Sequence, residues 1–172
     1  QREVLAAEGL EVEALAAEGL EVLQILFVGP GDTGALVERA RRLGVDRRVA
    51  FVGPRDDVPA VLAAADLLLL PSRWEGMPYV VLEAMAASLP VVATPVDGAR
   101  DLVADGETGY LARAIDPDAI ADALRRATLA GDARRRALGA AGRRRMEEGY
   151  TVEAMVAGLD AVYAEAREAA RR

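Results

Sequence analysis

Two glutamates flank a glycine and proline turn in the stretch SRWEGMPYVVLEAM, residues 72–85. Glu75 precedes Gly76 and Pro78, and Glu83 follows eight positions after Glu75. The turn predicts a helix that begins near Met77 or Pro78, and the unpaired first amides of a helix attract phosphate. Both carboxylates could then reach hydroxyl groups beside a bound anion. Surface positions on a helix with no ligand explain the two glutamates equally well. Two glutamates eight positions apart recur by chance when 28 of the 172 residues are acidic, and an acidic side chain stabilises a helix N-terminus without any ligand.

The composition restricts the chemistry available to such a site. The chain has no histidine, cysteine, lysine or asparagine, so all 21 basic residues are arginines. Disulfides and cysteine-ligated metals are excluded, and the usual general base is missing. A net charge of -7 argues against a nucleic-acid-binding protein. The run RRRALGAAGRRR is better explained as a solvated helix face.

Hydrophobic patterning predicts a soluble, cytoplasmic protein with no membrane span. No apolar run approaches the length of about 18 residues that a spanning helix needs. The N-terminal residues also lack the charged, apolar and small-residue order of a signal peptide.

From residue 23 onward, strand and helix patterns alternate at short intervals. Five apolar stretches predict strands: LQILFVG, RVAFVG, DLLLLPS, PVVATPV and TGYLAR. This alternation indicates an α/β fold with a doubly wound, mainly parallel sheet flanked by helices, and three further helices follow at the C-terminus. Ligands of such sheets bind beyond the carboxyl ends of the strands, here GPGD, GPRDD, PSRWEG and TPVDG.

The first 22 residues contain LAAEGLEV twice, at residues 5–12 and 15–22. Each copy predicts a short helix of Ala, Leu and Glu that ends at Gly9 or Gly19. We therefore expect a duplicated helical segment at 1–22 and the α/β domain at 23–172.

Residues 51–111 closely resemble the donor-binding half of the retaining GT-B glycosyltransferases of family 4, also called group 1. The motifs that carry the resemblance are AAAD before the buried strand, serine followed by EG and proline, then EAMA, PVVAT and GETGYL. The resemblance extends from about residue 23 to the last helix. It implies the Rossmann-like, C-terminal domain that binds a nucleotide sugar such as a UDP- or GDP-hexose.

The resemblance also implies roles for the residues of the opening motif. Glu75, Gly76 and Met77 match the positions that contact the donor sugar, and Glu83 matches the one that contacts the ribose. The family uses no metal or other cofactor, so none is expected here.

Two further sets of positions would hold the rest of the nucleotide. The amides of Met77, Tyr79 and Val80 match the helix start that binds the diphosphate, since Pro78 has no amide hydrogen. Pro54 and Arg55 match the loop that lies along the base.

Three departures from the family qualify these expectations. The 172 residues contain no match to the acceptor domain or to the upstream segment in which the family has an arginine and a lysine. We therefore expect a donor-binding half that does not turn over substrate alone and whose partner is the N-terminal domain of a full-length relative. Asp97 and Ser88 also stand where the family has glycines, and Asp97 bears on how closely a phosphate can approach.

The last helical stretch carries an apolar stripe that needs a partner surface, which predicts a homo-oligomer. Its residues are Val152, Met155, Val156, Leu159, Val162 and Tyr163. An engineered or duplicated oligomeric scaffold with a vestigial site is the alternative interpretation. A signalling receiver domain is disfavoured because the chain has no lysine.

Overall fold

A computed structural model describes residues 3–7 and 23–171 of the chain. Within these residues the strands are β1 Glu3–Ala7, β2 Leu23–Phe27, β3 Val49–Phe51, β4 Leu67–Leu70, β5 Val91–Ala93 and β6 Gly109–Leu111. The helices are α1 Gly34–Arg42, α2 Val58–Ala64, α3 Tyr79–Ala86, α4 Asp97–Leu102, α5 Pro117–Leu129, α6 Gly131–Gly149 and α7 Val152–Ala169. A short 3-10 turn, Asp46–Arg48, precedes β3.

The described strands form one six-stranded sheet in the order β3-β2-β1-β4-β5-β6. Every neighbouring pair is parallel. The chain builds outward from β1 to β3 on one side and from β4 to β6 on the other, so the order reverses between β1 and β4. This is the strand order of a doubly wound, Rossmann-like sheet and confirms the predicted fold class.

The N-terminal strand β1 corrects one prediction. Residues 5–7 belong to the first copy of the repeat, which we expected to be helical, but Glu3–Ala7 is a strand paired with both β2 and β4. Hydrogen bonding to two neighbours outweighs the helix propensity of Ala, Leu and Glu, which amounts to only tenths of a kcal/mol per residue. Residues 8–22, with the rest of both copies, lie outside the described residues.

Strand β4 shows how the sheet buries both of its faces. Its four leucines are all buried, and successive side chains point to opposite faces of the sheet. Leu67 and Leu69 join a core cluster that includes residues of α1 and α5. Leu68 and Leu70 join a second cluster with residues of α2, α3 and α4. The uninterrupted apolar run is therefore explained by helices packed on both sides.

The C-terminal helices match the predicted number and order. The Thr151 hydroxyl accepts a hydrogen bond from the Ala154 amide and so caps α7. The six residues of the predicted stripe on α7 are between 48% and 68% exposed, so the described part of the chain buries none of them. None of the helices among residues 23–171 is both long and apolar enough to cross a membrane.

Candidate functional site

A cleft of about 380 Å³ opens at the carboxyl end of the sheet, beside β4 and the start of α3. One wall is apolar and comes from Val28, Val58, Val61, Leu62 and Leu68–Leu70. The other wall follows the loop after β4 and the first residues of α3. Its members are Glu75, Met77, Pro78, Tyr79, Val80 and Glu83. The cleft therefore lies close to the point where the strand order reverses, which is where doubly wound sheets bind ligands.

The start of α3 supplies backbone amides to this cleft. Pro78 is the residue before the first helical turn and has extended backbone angles, and no side chain caps the helix. The Val81 amide donates to the Pro78 carbonyl at 3.0 Å, which leaves the amides of Tyr79 and Val80 as the unpaired donors that a helix start presents. The helix begins one residue later than the last position we predicted, Pro78.

Buried side chains hold α3 in this orientation. Val81, Ala84 and Met85 pack into the cluster between the sheet and the helices. They lie at spacings of one, three and four residues, so they occupy one face of α3 and turn the opposite face outward. Glu83 is on that outward face and is exposed.

A chain of hydrogen bonds orients the Glu75 carboxylate. Thr94, which follows β5, is fully buried, and its hydroxyl donates to the Ser72 carbonyl at 2.5 Å. The Ser72 hydroxyl in turn donates to Oε1 of Glu75 at 2.8 Å. One oxygen of Glu75 is thereby engaged by Ser72, while the residue as a whole is half-buried and lines the cleft. A carboxylate fixed in this way is preorganised to accept hydrogen bonds from hydroxyl groups of a ligand.

Glu83 lines two neighbouring cavities. Besides the main cleft it lines a neighbouring cavity of about 350 Å³ with Val58, Pro59 and Leu62 of α2. Val58 and Leu62 of α2 therefore line both cavities together with Glu83. Sequence reasoning did not include α2 in the site, because the pattern VPAVLAA predicts only a short helix.

Neither Pro54 nor Arg55 is among the described residues that line the cleft. The Arg55 guanidinium instead forms two hydrogen bonds with the Asp57 carboxylate, each 2.6 Å long. This pairing raises the pKa of Arg55 and lowers the pKa of Asp57, in both cases mainly through the side-chain hydrogen bonds. It also engages the side chain of Asp57, the residue before α2, which makes no capping hydrogen bond.

The structure thus brings most of the predicted site residues together. Glu75, Met77, Tyr79, Val80 and Glu83 share one cleft. Gly76 lies in the same loop and is exposed, although it does not line the cleft. Within residues 3–7 and 23–171, no cluster of three or more acidic side chains could hold a metal ion.

Three residues that support the loop between β4 and α3 escaped prediction as parts of the site. Ser72 and Thr94 connect β5 to Glu75, and Gly98 donates its amide to the Glu75 carbonyl at 3.4 Å. Each occurs next to a strand end that the sequence marks as a turn. The contacts of Thr94 with Ser72, 22 positions apart, and of Gly98 with Glu75 join two separate loops, which no local pattern can indicate.

A family model for the group 1 glycosyl transferases matches residues 10–130, well over half of the chain. The chain belongs to the group 1 glycosyltransferase family. It is 41% identical over 145 residues to D-inositol 3-phosphate glycosyltransferase of Salinispora tropica, an alignment that covers 80% of this chain and 30% of that relative.

Solved structures of other glycosyltransferases agree with this assignment. Sucrose-phosphate synthase from Thermosynechococcus elongatus is 31% identical with a TM-score of 0.81, over 98% of this chain and 46% of that protein. HepE from Anabaena in complex with UDP-glucose is 25% identical with a TM-score of 0.74, over 84% of this chain and 44% of that protein. The chain therefore spans less than half the length of these proteins, as expected for one domain of a GT-B glycosyltransferase.

Proposed function

We propose that this chain is the nucleotide-sugar donor-binding domain of a retaining hexosyltransferase. The observation that carries the proposal is the uncapped start of α3, which opens into the cleft between Glu75 and Glu83. Structural similarity to a protein that binds UDP-glucose supports it. A UDP- or GDP-hexose is the expected donor, and the N-terminal domain of a full-length relative is the expected partner.

The diphosphate would lie against the first turn of α3. The amides of Tyr79 and Val80, with that of Met77 in the preceding loop, would donate to its oxygens, and the positive end of the helix dipole would favour its charge. Eight residues make a helix of two turns, long enough for this end to carry a partial positive charge.

The two glutamates would bind hydroxyl groups on either side of the diphosphate. Glu75, with its carboxylate held by Ser72, would accept hydrogen bonds from the donor sugar, beside Gly76 and Met77. Glu83 lies further along α3 and would accept from the ribose. For the base we propose the loop at Pro54 and Arg55, which requires Arg55 to exchange part of its pairing with Asp57 for the base.

In the transfer reaction, the bond between the anomeric carbon and the diphosphate would break with its electron pair on the diphosphate oxygen. The anomeric carbon would form a bond to a hydroxyl oxygen of the acceptor, and the proton of that hydroxyl would pass to the departing diphosphate. The start of α3 would stabilise this developing negative charge without a metal ion. The acceptor would be bound by another domain, so we expect donor binding but no transfer by this chain alone.

Isothermal titration calorimetry with UDP, GDP, ADP and their sugars tests the proposal. We expect one nucleotide sugar to bind with a Kd below millimolar. Glu83→Ala should then weaken binding by about 1 to 3 kcal/mol, because the ribose hydroxyls lose a charged partner. That is roughly a 5- to 150-fold increase in Kd.

Glu107→Ala is the matched control. Glu107 is exposed and precedes β6, so it lies at the amino end of the sheet, opposite the cleft. The substitution should leave the affinity unchanged. Equal losses in the two variants would contradict the assignment of Glu83, and the absence of binding by every nucleotide would contradict the proposed function.

We also propose that the apolar stripe on α7 pairs with the same stripe of a second copy, which forms a homo-oligomer. Support comes from the exposure of all six side chains and from their spacings of three and four residues. Light scattering coupled to size-exclusion chromatography should show a dimer or larger species that Leu159→Glu converts to monomer. A wild-type protein that stays monomeric at high concentration would exclude this.

A further inference from the structure

We infer that Gly98 is a positioning residue that fixes the place of the loop carrying Glu75 and the start of α3. Gly98 is buried in the first turn of α4, behind that loop. A Cβ atom added at Gly98 would lie 2.2 Å from the Gly76 carbonyl oxygen, 2.7 Å from the Gly76 carbonyl carbon and 2.9 Å from Cδ of Pro78. The lack of a side chain at Gly98 is therefore what allows α4 and the loop to touch.

The atoms that meet Gly98 make this contact unyielding. Two of the three belong to the backbone of Gly76, and the third belongs to the ring of Pro78, whose backbone φ is fixed. A flexible side chain could rotate away from an added methyl group, but these atoms can only move together with the loop. The loop is the connection between Glu75 and the first amides of α3, so both would be displaced.

Hydrogen bonds hold the same loop against α4 and β5. The Gly98 amide donates to the Glu75 carbonyl at 3.4 Å, and Thr94 reaches the loop through Ser72. Gly98 thus packs closely against the backbone of Gly76 and also donates a hydrogen bond to the loop, while Thr94 holds the other end of the loop through Ser72. The position of Glu75 is set from behind by residues that do not line the cleft.

A comparison of Gly98→Ala with Gly109→Ala tests this inference. A Cβ at Gly109 would also lie 2.2 Å from a backbone carbonyl oxygen, that of Val91, but this clash is between β5 and β6 rather than in the loop. The two variants therefore introduce the same clash at different places. Gly158→Ala, where an added Cβ meets nothing within 4 Å, is the control for the substitution itself.

Trp74 provides a readout that does not depend on any ligand. It is the single tryptophan of the chain, lies next to Glu75 and is 84% exposed. We expect Gly98→Ala to lower the fluorescence anisotropy of Trp74 because the loop loses its fixed position, whereas Gly109→Ala and Gly158→Ala should leave it unchanged. An unchanged anisotropy in folded Gly98→Ala, or an equal change in Gly109→Ala, would overturn the inference.

A second measurement covers the case in which Gly98→Ala does not fold. In Ser72→Ala, which releases Oε1 of Glu75, hydrogen exchange of the Gly98 amide should accelerate together with the loss of Trp74 anisotropy. If the anisotropy falls while the Gly98 amide exchanges as in the wild type, Gly98 does not hold the loop.

Only the last comparison rests on the proposed function. Gly98→Ala should raise the Kd for UDP-glucose, or for whichever nucleotide sugar the wild type binds, by about 10-fold or more, since displaced binding groups are costly. Gly109→Ala should change this Kd less than about two-fold, in keeping with the weak coupling of distant sites. Equal Kd values for wild type and Gly98→Ala would refute control of the site by Gly98. If the wild type binds no nucleotide, the proposed function fails, but the Trp74 measurements still decide the inference.

Discussion

Replacement of Thr94 by valine should destabilise the domain from behind the candidate site. Thr94 is 0% exposed, and valine has nearly its shape, so the substitution removes the hydroxyl and leaves the packing almost unchanged. The hydroxyl donates to the Ser72 carbonyl at 2.5 Å and lies 3.4 Å from the Leu70 carbonyl. The Leu70 carbonyl still accepts from the Thr94 amide at 3.0 Å, so the loss falls on Ser72.

The magnitude follows from these contacts. One part-buried carbonyl loses a hydrogen-bond donor, and a buried polar group left unsatisfied costs about 1 to 3 kcal/mol. For a domain of 150 to 250 residues, each kcal/mol shifts the melting temperature by about 2 to 4 °C. We therefore expect Thr94→Val to lower the Tm by roughly 2 to 12 °C.

Thermal unfolding followed by circular dichroism measures this change, and Thr128→Val is the matched control. The Thr128 hydroxyl donates to the Leu124 carbonyl at 2.9 Å within α5. That carbonyl is already positioned to accept a hydrogen bond from a backbone amide of the helix. The loss of the Thr128 hydroxyl should therefore change the free energy of unfolding by less than about 0.5 kcal/mol. Equal stability losses in the two variants would refute the argument that Thr94 supports the loop through Ser72.

Two further predictions concern charged residues near the strand ends. Asp57→Asn should weaken the dependence of the free energy of unfolding on pH at acid pH. The pKa of Asp57 is lowered in the folded state, so its contribution to stability is present above the unfolded pKa of about 3.9 and is lost as the pH falls through the folded pKa. Urea unfolding from pH 2 to 6 measures this change. Asp97→Asn should tighten UDP binding in calorimetry, because it removes repulsion between the Asp97 carboxylate and the diphosphate. It should also lower the free energy of unfolding by about 0.3 to 1 kcal/mol, because Asp97 lies in the first turn of α4. Weaker UDP binding by Asp97→Asn would contradict the repulsion.

Much of the fold could be predicted because its elements carry strong local signals. The leucines of β4 form an uninterrupted apolar run, and the buried positions of α3 and α5 recur at spacings of three and four. The turn at Gly76 and Pro78 marked the start of α3 to within one residue. The prediction of a ligand site beyond the strand ends follows from these elements, since parallel strands bring their carboxyl ends to one edge of the sheet.

The strand β1 could not be predicted, for a physical reason. The segment EVLAA has the composition of a helix, and its strand conformation comes from pairing with β2 and β4 on its two sides. Such pairing is a property of the whole sheet, so a window of five residues carries no sign of it. The expectation of a helix there failed because tertiary hydrogen bonding outweighs local propensity.

The position of β1 also explains why the cleft forms at all. The loop that leaves β2 leads to α1 on one face of the sheet, whereas the loops that leave β4 and β5 lead to α3 and α4 on the other face, and the strand order reverses between β1 and β4. The two groups of loops diverge above that boundary and leave a crevice between them. The existence of the crevice therefore depends on the topology, whereas the exact position of the groups that line it depends on contacts such as those of Thr94 and Gly98. A substitution in the lining should change which ligand binds, but one behind the loop should change how well any ligand is held.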